Sequence, residues 1–545
     1  MERRLVAVAE APGSARRPLV RSLGLESSLV WLILSAGAAF RIYQYLINRS
    51  LWLDESQLAL NITRRSAGSL LTKRLELNQG SPPGFLLVER LMVDAFGKSE
   101  YALRAFPLVC SLIALPVFAA LARRILPPFG VVVAAALFVV SGPLIYFSSE
   151  VKQYSTEIMA VLALLLMSVM LVEEHLSRRQ AIAFGLLGAL LMQFSFAAVI
   201  AAAAGGTVIA VGLALGRRRR DLLSALPTLA LWAVGGILFL VYYANSLGGY
   251  GLGDSRPRNL GWFVDRARDL SLAAEIWHPQ TSPWIALTLA VCLFAAVGLA
   301  SLFRKRPLIF ALLLAPGLLL LVLAVAHRYL IAPRSIEFLV PLIYLVTTFG
   351  IVELARRVPR EWGLAAVVIL TFPLVVGVSS FGNSHAGAAI RREEIKDELV
   401  FVARHWRAGD VLYVEHNAQY AFAYYAECDC LRLPGGVRPD ALWPVGFIRR
   451  HGGSPQFVRV VVPRSKTVLI GAHPPRPARR RQYEREVAQM TRYRRAWVLT
   501  TWIYGETRGK VISRQLLGAL ERRGVRVTTR AAASARLYLY SFARR

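Results

Sequence analysis

The chain has 545 residues and a formal net charge of +31, and 55% of its residues are apolar. A mean hydropathy of +0.46 excludes an ordinary soluble enzyme, because the apolar residues fall in blocks of about twenty, the length of a helix across a bilayer. The arginines cluster in short loops between these blocks, so the charge reads as topology and attraction to anionic lipid. It does not form the folded basic face that nucleic-acid binding needs.

Arg3, Arg4, Arg16, Arg17 and Arg21 precede an apolar run from Ser28 to Leu46. The run passes the small residues Ala36-Gly37-Ala38 and continues through Phe40 and Ile42, which marks a retained helix rather than a cleaved signal peptide. The segment 48–102 follows as a long loop carrying the acidic pair Asp54-Glu55 and the stretch Gln79-Gly80-Ser81-Pro82-Pro83. A loop this long in a compact membrane protein is usually functional. Within it, Phe85 to Phe96 is apolar but too short to span, as expected of an interfacial segment.

About ten further spans are expected, giving about eleven in all. They lie near Leu103–Leu121, Phe129–Phe147, Tyr154–Val172, Ala181–Phe194, Ala197–Leu215 and Leu222–Tyr243. The rest are Pro283–Phe303, Pro307–Ala326, Ser335–Leu354 and Trp362–Ser380. The weakest division is at Ser195, where no charge marks a turn. Arg123-Arg124, Arg178-Arg179, Arg217 to Arg220, Arg304 to Arg306 and Arg356-Arg357 fall in alternate short loops. The positive-inside rule puts these loops and the N-terminus in the cytoplasm. The Asp54-Glu55 loop, the Glu150–Lys152 turn, the Asn245–Ser282 loop and everything after Ser380 then share the outer side.

The fold class is therefore a polytopic α-helical membrane protein, residues 1–382, followed by an extracytoplasmic α/β domain, residues 383–545. In the latter, Ile395 to Trp406 and Gln482 to Tyr493 read as helices. Val411–Val414, Val458–Val462, Trp497–Trp502, Val525–Thr529 and Leu537–Tyr540 read as strands. His473 to Arg481 reads as a solvated loop. No GxGxxG follows a strand and no Walker loop occurs. The four cysteines make no disulfide framework. Cys110 and Cys292 sit in apolar blocks as small hydrophobes. Cys428 and Cys430 flank Asp429 without a companion His or Cys cluster, so no metal is expected, and a disulfide or two free thiols are both open.

Polar groups that can carry chemistry converge on the outer face. Asp54 and Glu55 are either helix-capping acids or a base and its orienting partner. Ser81 and Pro82 lie in the same loop, with Glu100 and Arg104 at the start of the next span. Arg104 is placed to fork onto a phosphate or to anchor the interface. The turn Ser149 to Tyr154 sets Glu150, Lys152 and Tyr154 together, a set able to bind a sugar phosphate. Arg328 and Arg334, after the ninth span, are cations able to neutralise a phosphate at the outer leaflet. Acids beside phosphate-binding cations suit transfer of a group from a lipid phosphate to a hydroxyl.

The runs Leu51-Trp52-Leu53-Asp54-Glu55, Gln79 to Leu87 and Phe96 to Pro107 resemble the first outer loop of the protein-mannosyltransferase superfamily. This is glycosyltransferase family 39, of the GT-C type, with bacterial members that include aminoarabinose transferases acting on lipid A. Ser148 to Ser155 resembles the family's acid-x-Arg-x-Tyr turn, with Lys152 where Arg is usual. Ser81 stands where many members have His. The resemblance covers about the first 160 residues and implies inverting transfer from a polyprenyl-phosphate sugar, with no nucleotide or other cofactor. The acceptor would be a hydroxyl of a lipid, polysaccharide or protein, and the enzyme would lie in the cytoplasmic membrane. On the family pattern Asp54 is the acceptor's base or its orienter, Glu55 assists, and Arg104 meets the donor phosphate. The rival reading is a transporter or flippase of lipid-linked sugars. Transporters place ionisable groups near mid-membrane, whereas here they gather at one surface.

Overall fold

The computed structural model describes residues 16–215, 219–247, 256–273, 282–359, 392–428, 430–449, 458–462, 467–472, 479–501 and 514–542, with scattered positions between 362 and 375. The N-terminal part begins with α1 (Arg16–Leu46), α2 (Leu53–Arg64), α3 (Ala67–Thr72), α4 (Pro83–Phe96), α5 (Glu100–Ile125), α6 (Pro128–Val140) and α7 (Gly142–Tyr146). It continues with α8 (Tyr154–Glu173), α9 (Arg178–Met192), α10 (Phe196–Leu215) and α11 (Arg219–Tyr242). Four more helices follow among the described residues: α12 (Leu260–Ala273), α13 (Ser282–Lys305), α14 (Pro307–Val325) and α15 (Val340–Ala355).

Local chemistry sets the ends of these helices. Ser99 accepts a hydrogen bond from the Ala102 amide at 3.2 Å and caps α5. Pro83 opens α4, and Gly97, at φ 81°, ends it in a conformation other residues resist. The doubtful break at Ser195 is real, because Ser195 accepts from the Ala198 amide at 2.8 Å and starts α10.

Among the described residues, seven helices are long and apolar enough to cross a membrane. An eighth is added if Pro128–Val140 and Gly142–Ser149, bent by 60°, form one span. Four of the eleven expected spans stand outside these seven. Gly142-Pro143 interrupts the third expected span, since proline cannot supply the amide that continues a helix. The fifth expected span is α9, whose 15 residues fall short of a bilayer. The eighth is the helix α13, packed on α15. The last, Trp362–Ser380, lies largely outside the described residues. So do the boundary at 382/383, most of His473–Arg481, and much of the Asn245–Ser282 loop.

Among the described residues the C-terminal region holds a five-stranded sheet and a separate two-stranded one. The strands are β1 (Asp410–Val414), β2 (Gly446–Arg449), β3 (Val458–Val461), β4 (Val468–Ile470), β5 (Arg495–Thr501), β6 (Val525–Ala532) and β7 (Ala535–Ser541). The sheet order is β4-β1-β5-β7-β6, with β1 parallel to β4 and β5, and β7 antiparallel to β5 and β6. The expected strand at Val458–Val462 lies outside this sheet, paired with β2. Alternate residues face opposite sides. Val411, Tyr413 and Val498 pack on the helix Arg479–Met490. Leu412, Val414, Trp497 and Leu499 face the helices Lys396–Arg404 and Gln419–Glu427. That second cluster does not stop at the C-terminal region. It includes Leu51, Leu58 and Ile62 around α2 and Phe85 of α4, so the long loop and the sheet share one core. Cys428 and Cys430 form a disulfide.

Candidate functional site

Two acids at the start of α2 face different surroundings. Glu55 points into the protein, where Arg104 of α5 grips it through Nε at 3.0 Å and a terminal nitrogen at 2.8 Å. Oε1 also accepts from the Val151 amide at 3.0 Å and lies 3.7 Å from Arg49. The side chains of Arg104 and Glu55 are only 2% and 0% exposed. Burial works to raise the Glu55 pKa, but Arg104 and Arg49 outweigh it and hold the carboxyl below its usual range. The remaining Arg104 donors go to the carbonyls of Arg49 at 2.6 Å and Ser50 at 3.3 Å. This guanidinium, expected from the sequence at the donor phosphate, sits as a buried fastener for the loop.

Asp54 points the other way, into an open cleft with a cavity volume of about 110 Å³. Lys152, Tyr154, Glu157, Tyr329 and Arg334 line the same cleft, with Gly80 at its edge. Arg334 forms an ion pair with Asp54. Gln79 accepts from Lys152 Nζ at 2.5 Å and hydrogen-bonds Asp54 in turn. Burial alone would raise the Asp54 pKa. Lys152, Arg334 and the bond from Gln79 reverse that and keep the carboxyl below the usual range. Burial pulls Lys152 down from the ordinary lysine value, against the attraction of Asp54. The cleft thus sets one ionised acid between two cations.

Of the residues singled out from the sequence, Asp54, Lys152, Tyr154 and Arg334 meet here. The others do not line it. Glu150 is fully buried and accepts from the Trp52 indole at 2.7 Å. Its burial, and then the charge of Glu55, push its pKa up to about 7. Glu150, expected from the sequence at the substrate, therefore stands behind the cleft lining. Ser81 and Pro82 are buried beside Gly80; the Ser81 carbonyl accepts from the Tyr242 hydroxyl at 3.1 Å. Arg328 is exposed, does not line the cleft, and its charge acts on Tyr243.

Tyr329, grouped in the sequence with Arg328 and Arg334, and Glu157, a lone acid in an apolar span, also line the cleft. Other groups at the site escaped sequence reading. Glu393, Glu394, Lys396 and Tyr425 reach the segment 48–53 from the C-terminal region. Their separation in sequence left no signal. Among the described residues, no group of three or more His, Cys, Asp or Glu is arranged to hold a metal ion.

No family model matches the sequence, and no curated protein is similar to it at the sequence level. In structure the chain is similar to ArnT from Cupriavidus metallidurans bound to undecaprenyl phosphate, at 12% identity and a TM-score of 0.47, covering 97% of this chain and 98% of that one. It is also similar to the archaeal oligosaccharyltransferase AglB from Archaeoglobus fulgidus in complex with an inhibitory peptide and a dolichol-phosphate. That match has 12% identity and a TM-score of 0.47, covering 93% of this chain and 74% of that one. At this level of similarity neither family nor activity transfers to the chain.

Proposed function

We propose that this protein is an inverting glycosyltransferase that moves a sugar from a polyprenyl-phosphate donor to an acceptor hydroxyl at the outer face of the cytoplasmic membrane. The cleft that joins Asp54 to Lys152, Tyr154 and Arg334 carries this reading. An ionised carboxylate is suited to orient a hydroxyl and take its proton as the new bond to the anomeric carbon forms. The bond from that carbon to the phosphate oxygen breaks on the opposite side, and its electron pair leaves with the polyprenyl phosphate. Lys152 and Arg334 lie where that growing negative charge needs fixed cations. Because Arg334 already pairs with Asp54, an entering phosphate competes for the arginine and frees the base as the leaving group is gripped.

Glu55, Arg104 and Glu150 act behind the cleft as its frame. The lipid tail lies between helices, and the acceptor is a lipid, polysaccharide or protein. The orientation, with the N-terminus cytoplasmic and residues 383–545 outside, is supported by Arg123 and Arg124, which end the helix that begins beside Arg104.

Asp54→Asn tests the reading. Membranes carrying the variant should lose sugar transfer by about 10²–10⁴-fold, measured by mass spectrometry of envelope glycolipids and glycoproteins. Undecaprenyl phosphate binding should persist in the purified variant. Full transfer by Asp54→Asn would remove Asp54 from the mechanism, and lipid movement across vesicles without any transfer would replace the enzyme by a transporter.

A further inference from the structure

The segment 48–53, which delivers Asp54 to the cleft, is held from the C-terminal region at successive positions. Lys396 Nζ donates to the Asn48 carbonyl at 2.7 Å and pairs with Glu100 at 2.8 Å. Glu394 accepts from the Ser50 amide at 3.0 Å and from its hydroxyl at 3.2 Å. The Tyr425 hydroxyl accepts from the Leu51 amide at 2.8 Å and donates to Glu100 at 3.1 Å. Glu393 accepts from the Leu53 amide at 3.1 Å. Leu53 opens α2, so Glu393 meets one of the amides that a helix start leaves without an internal partner. Its neighbour on the chain, Arg392, stacks over Trp52 and Tyr146 at 5.8 and 4.6 Å.

This grip is itself anchored. The Glu394 amide donates to the Ala533 carbonyl in the β6–β7 turn at 3.0 Å, and Arg530 of β6 donates to Glu398 at 3.0 Å. Glu393 adopts φ 48°, a left-handed conformation that costs a non-glycine residue about 1 kcal/mol or more and persists where surrounding contacts enforce it.

We infer that residues 392–396 form a positioning clamp through which the C-terminal region sets Asp54 in the cleft, with Glu393 as its positioning residue. The inference rests on the glycosyltransferase reading for its catalytic consequence, but not for its physical one. A misplacement of about 1 Å at a reacting group is enough to cost about 10²-fold in rate. The clamp therefore acts on turnover rather than on donor affinity. The groups facing Glu393 are Asp54 of α2, Glu415 beyond β1 and Arg392 beside it. Burial chiefly, and then Asp54, raise the Glu393 pKa to about 8. Below that pH the neutral carboxyl still accepts from Leu53 without repelling Asp54; above it, two carboxylates oppose each other across the helix start.

The experiment uses the full chain in nanodiscs, with Glu393→Ala, Glu393→Gln and the pair Glu394→Gln/Tyr425→Phe. Hydrogen exchange over residues 48–56 should quicken by about tenfold or more in Glu393→Ala and in the pair. Glu393→Gln keeps an acceptor for Leu53 and should stay near the parent. In cells, Glu393→Ala should lower glycoconjugate output by about 10–100-fold, while the purified variant keeps its affinity for undecaprenyl phosphate within about twofold. Parent output should fall above about pH 8, where Glu393 ionises, and Glu393→Gln should restore output and lack that fall. Unchanged exchange in Glu393→Ala and in the pair would overturn the clamp whatever the enzyme does. Quickened exchange with unchanged output would overturn its positioning role. A parent protein that makes no glycoconjugate would sink the proposed function while leaving the exchange result to decide the clamp.

Discussion

The helix α5 carries charge at both ends, and the two ends handle it differently. At its start Arg104 is buried against Glu55 with almost no exposure. At its finish Arg124 meets Glu173 and Glu174 with about a third of its surface in solvent. Arg306 joins that far cluster by pairing with Glu173 and donating to the Arg124 carbonyl at 2.6 Å. Lys305 and Arg356, both about half exposed, pair with the largely buried Glu353. Exposed pairs of this kind gain little, because water and salt screen them and long side chains lose freedom to form them. Under the proposed topology, their use is to mark the cytoplasmic side. The buried pair has a large desolvation cost, so its presence is explained by the geometry it imposes on α2 rather than by stability. One end reports topology, and the other builds a site.

The contrast can be broken by experiment. Arg104→Met leaves Glu55 buried with only Arg49 near it, and should destabilise the protein by about 3–5 kcal/mol in unfolding from detergent. Loss of under 1 kcal/mol would mean that the end of α5 beside Glu55 is as forgiving as the other. Lys152→Met should spare stability far more but lower sugar transfer by about 10²–10³-fold, as expected for loss of one preorganised donor to developing charge. A variant that transfers normally would take Lys152 out of the phosphate site.

The pH dependence separates the ends further. The Glu150 carboxyl, raised to about 7, binds a proton in the folded protein that the unfolded chain has released above about 4.5. Its contribution therefore favours folding at low pH and is lost as pH rises from about 4.5 through 7. Glu150→Gln should flatten that part of the curve of melting temperature against pH, and an unaltered slope would refute the assignment. The smallest effect belongs to Arg306→Ala, which should cost about 1 kcal/mol or less and less still in high salt. A larger loss would show that the far cluster also carries structure.

Much of the helical architecture was legible in the chain. Apolar runs such as Tyr154–Val172 and Pro307–Ala326 lie within a residue or so of α8 and α14, because helix length in a bilayer is set by a single distance. Breaks were harder. The bend at Gly142-Pro143 is local chemistry within an apolar run, and hydropathy does not register it. At the site, adjacency in sequence misled as often as it helped. Asp54 and Glu55 are neighbours, yet successive residues at a helix start point apart, one to the cleft and one to Arg104. The turn 150–154 likewise divides, sending Lys152 and Tyr154 to the cleft and Glu150 into the interior.

By itself the sequence determined that long apolar helices would form, that their basic ends would gather on one side, and that a small α/β region would follow. Those properties depend on composition and on periodicities of a few residues. Only the tertiary structure decided which of the outer charges face one another. Arg334 reaches Asp54 across 280 positions of chain, and Glu393 reaches Leu53 across 340. Electrostatic partnership falls off with distance in space, and no local pattern encodes a distance that the fold alone creates.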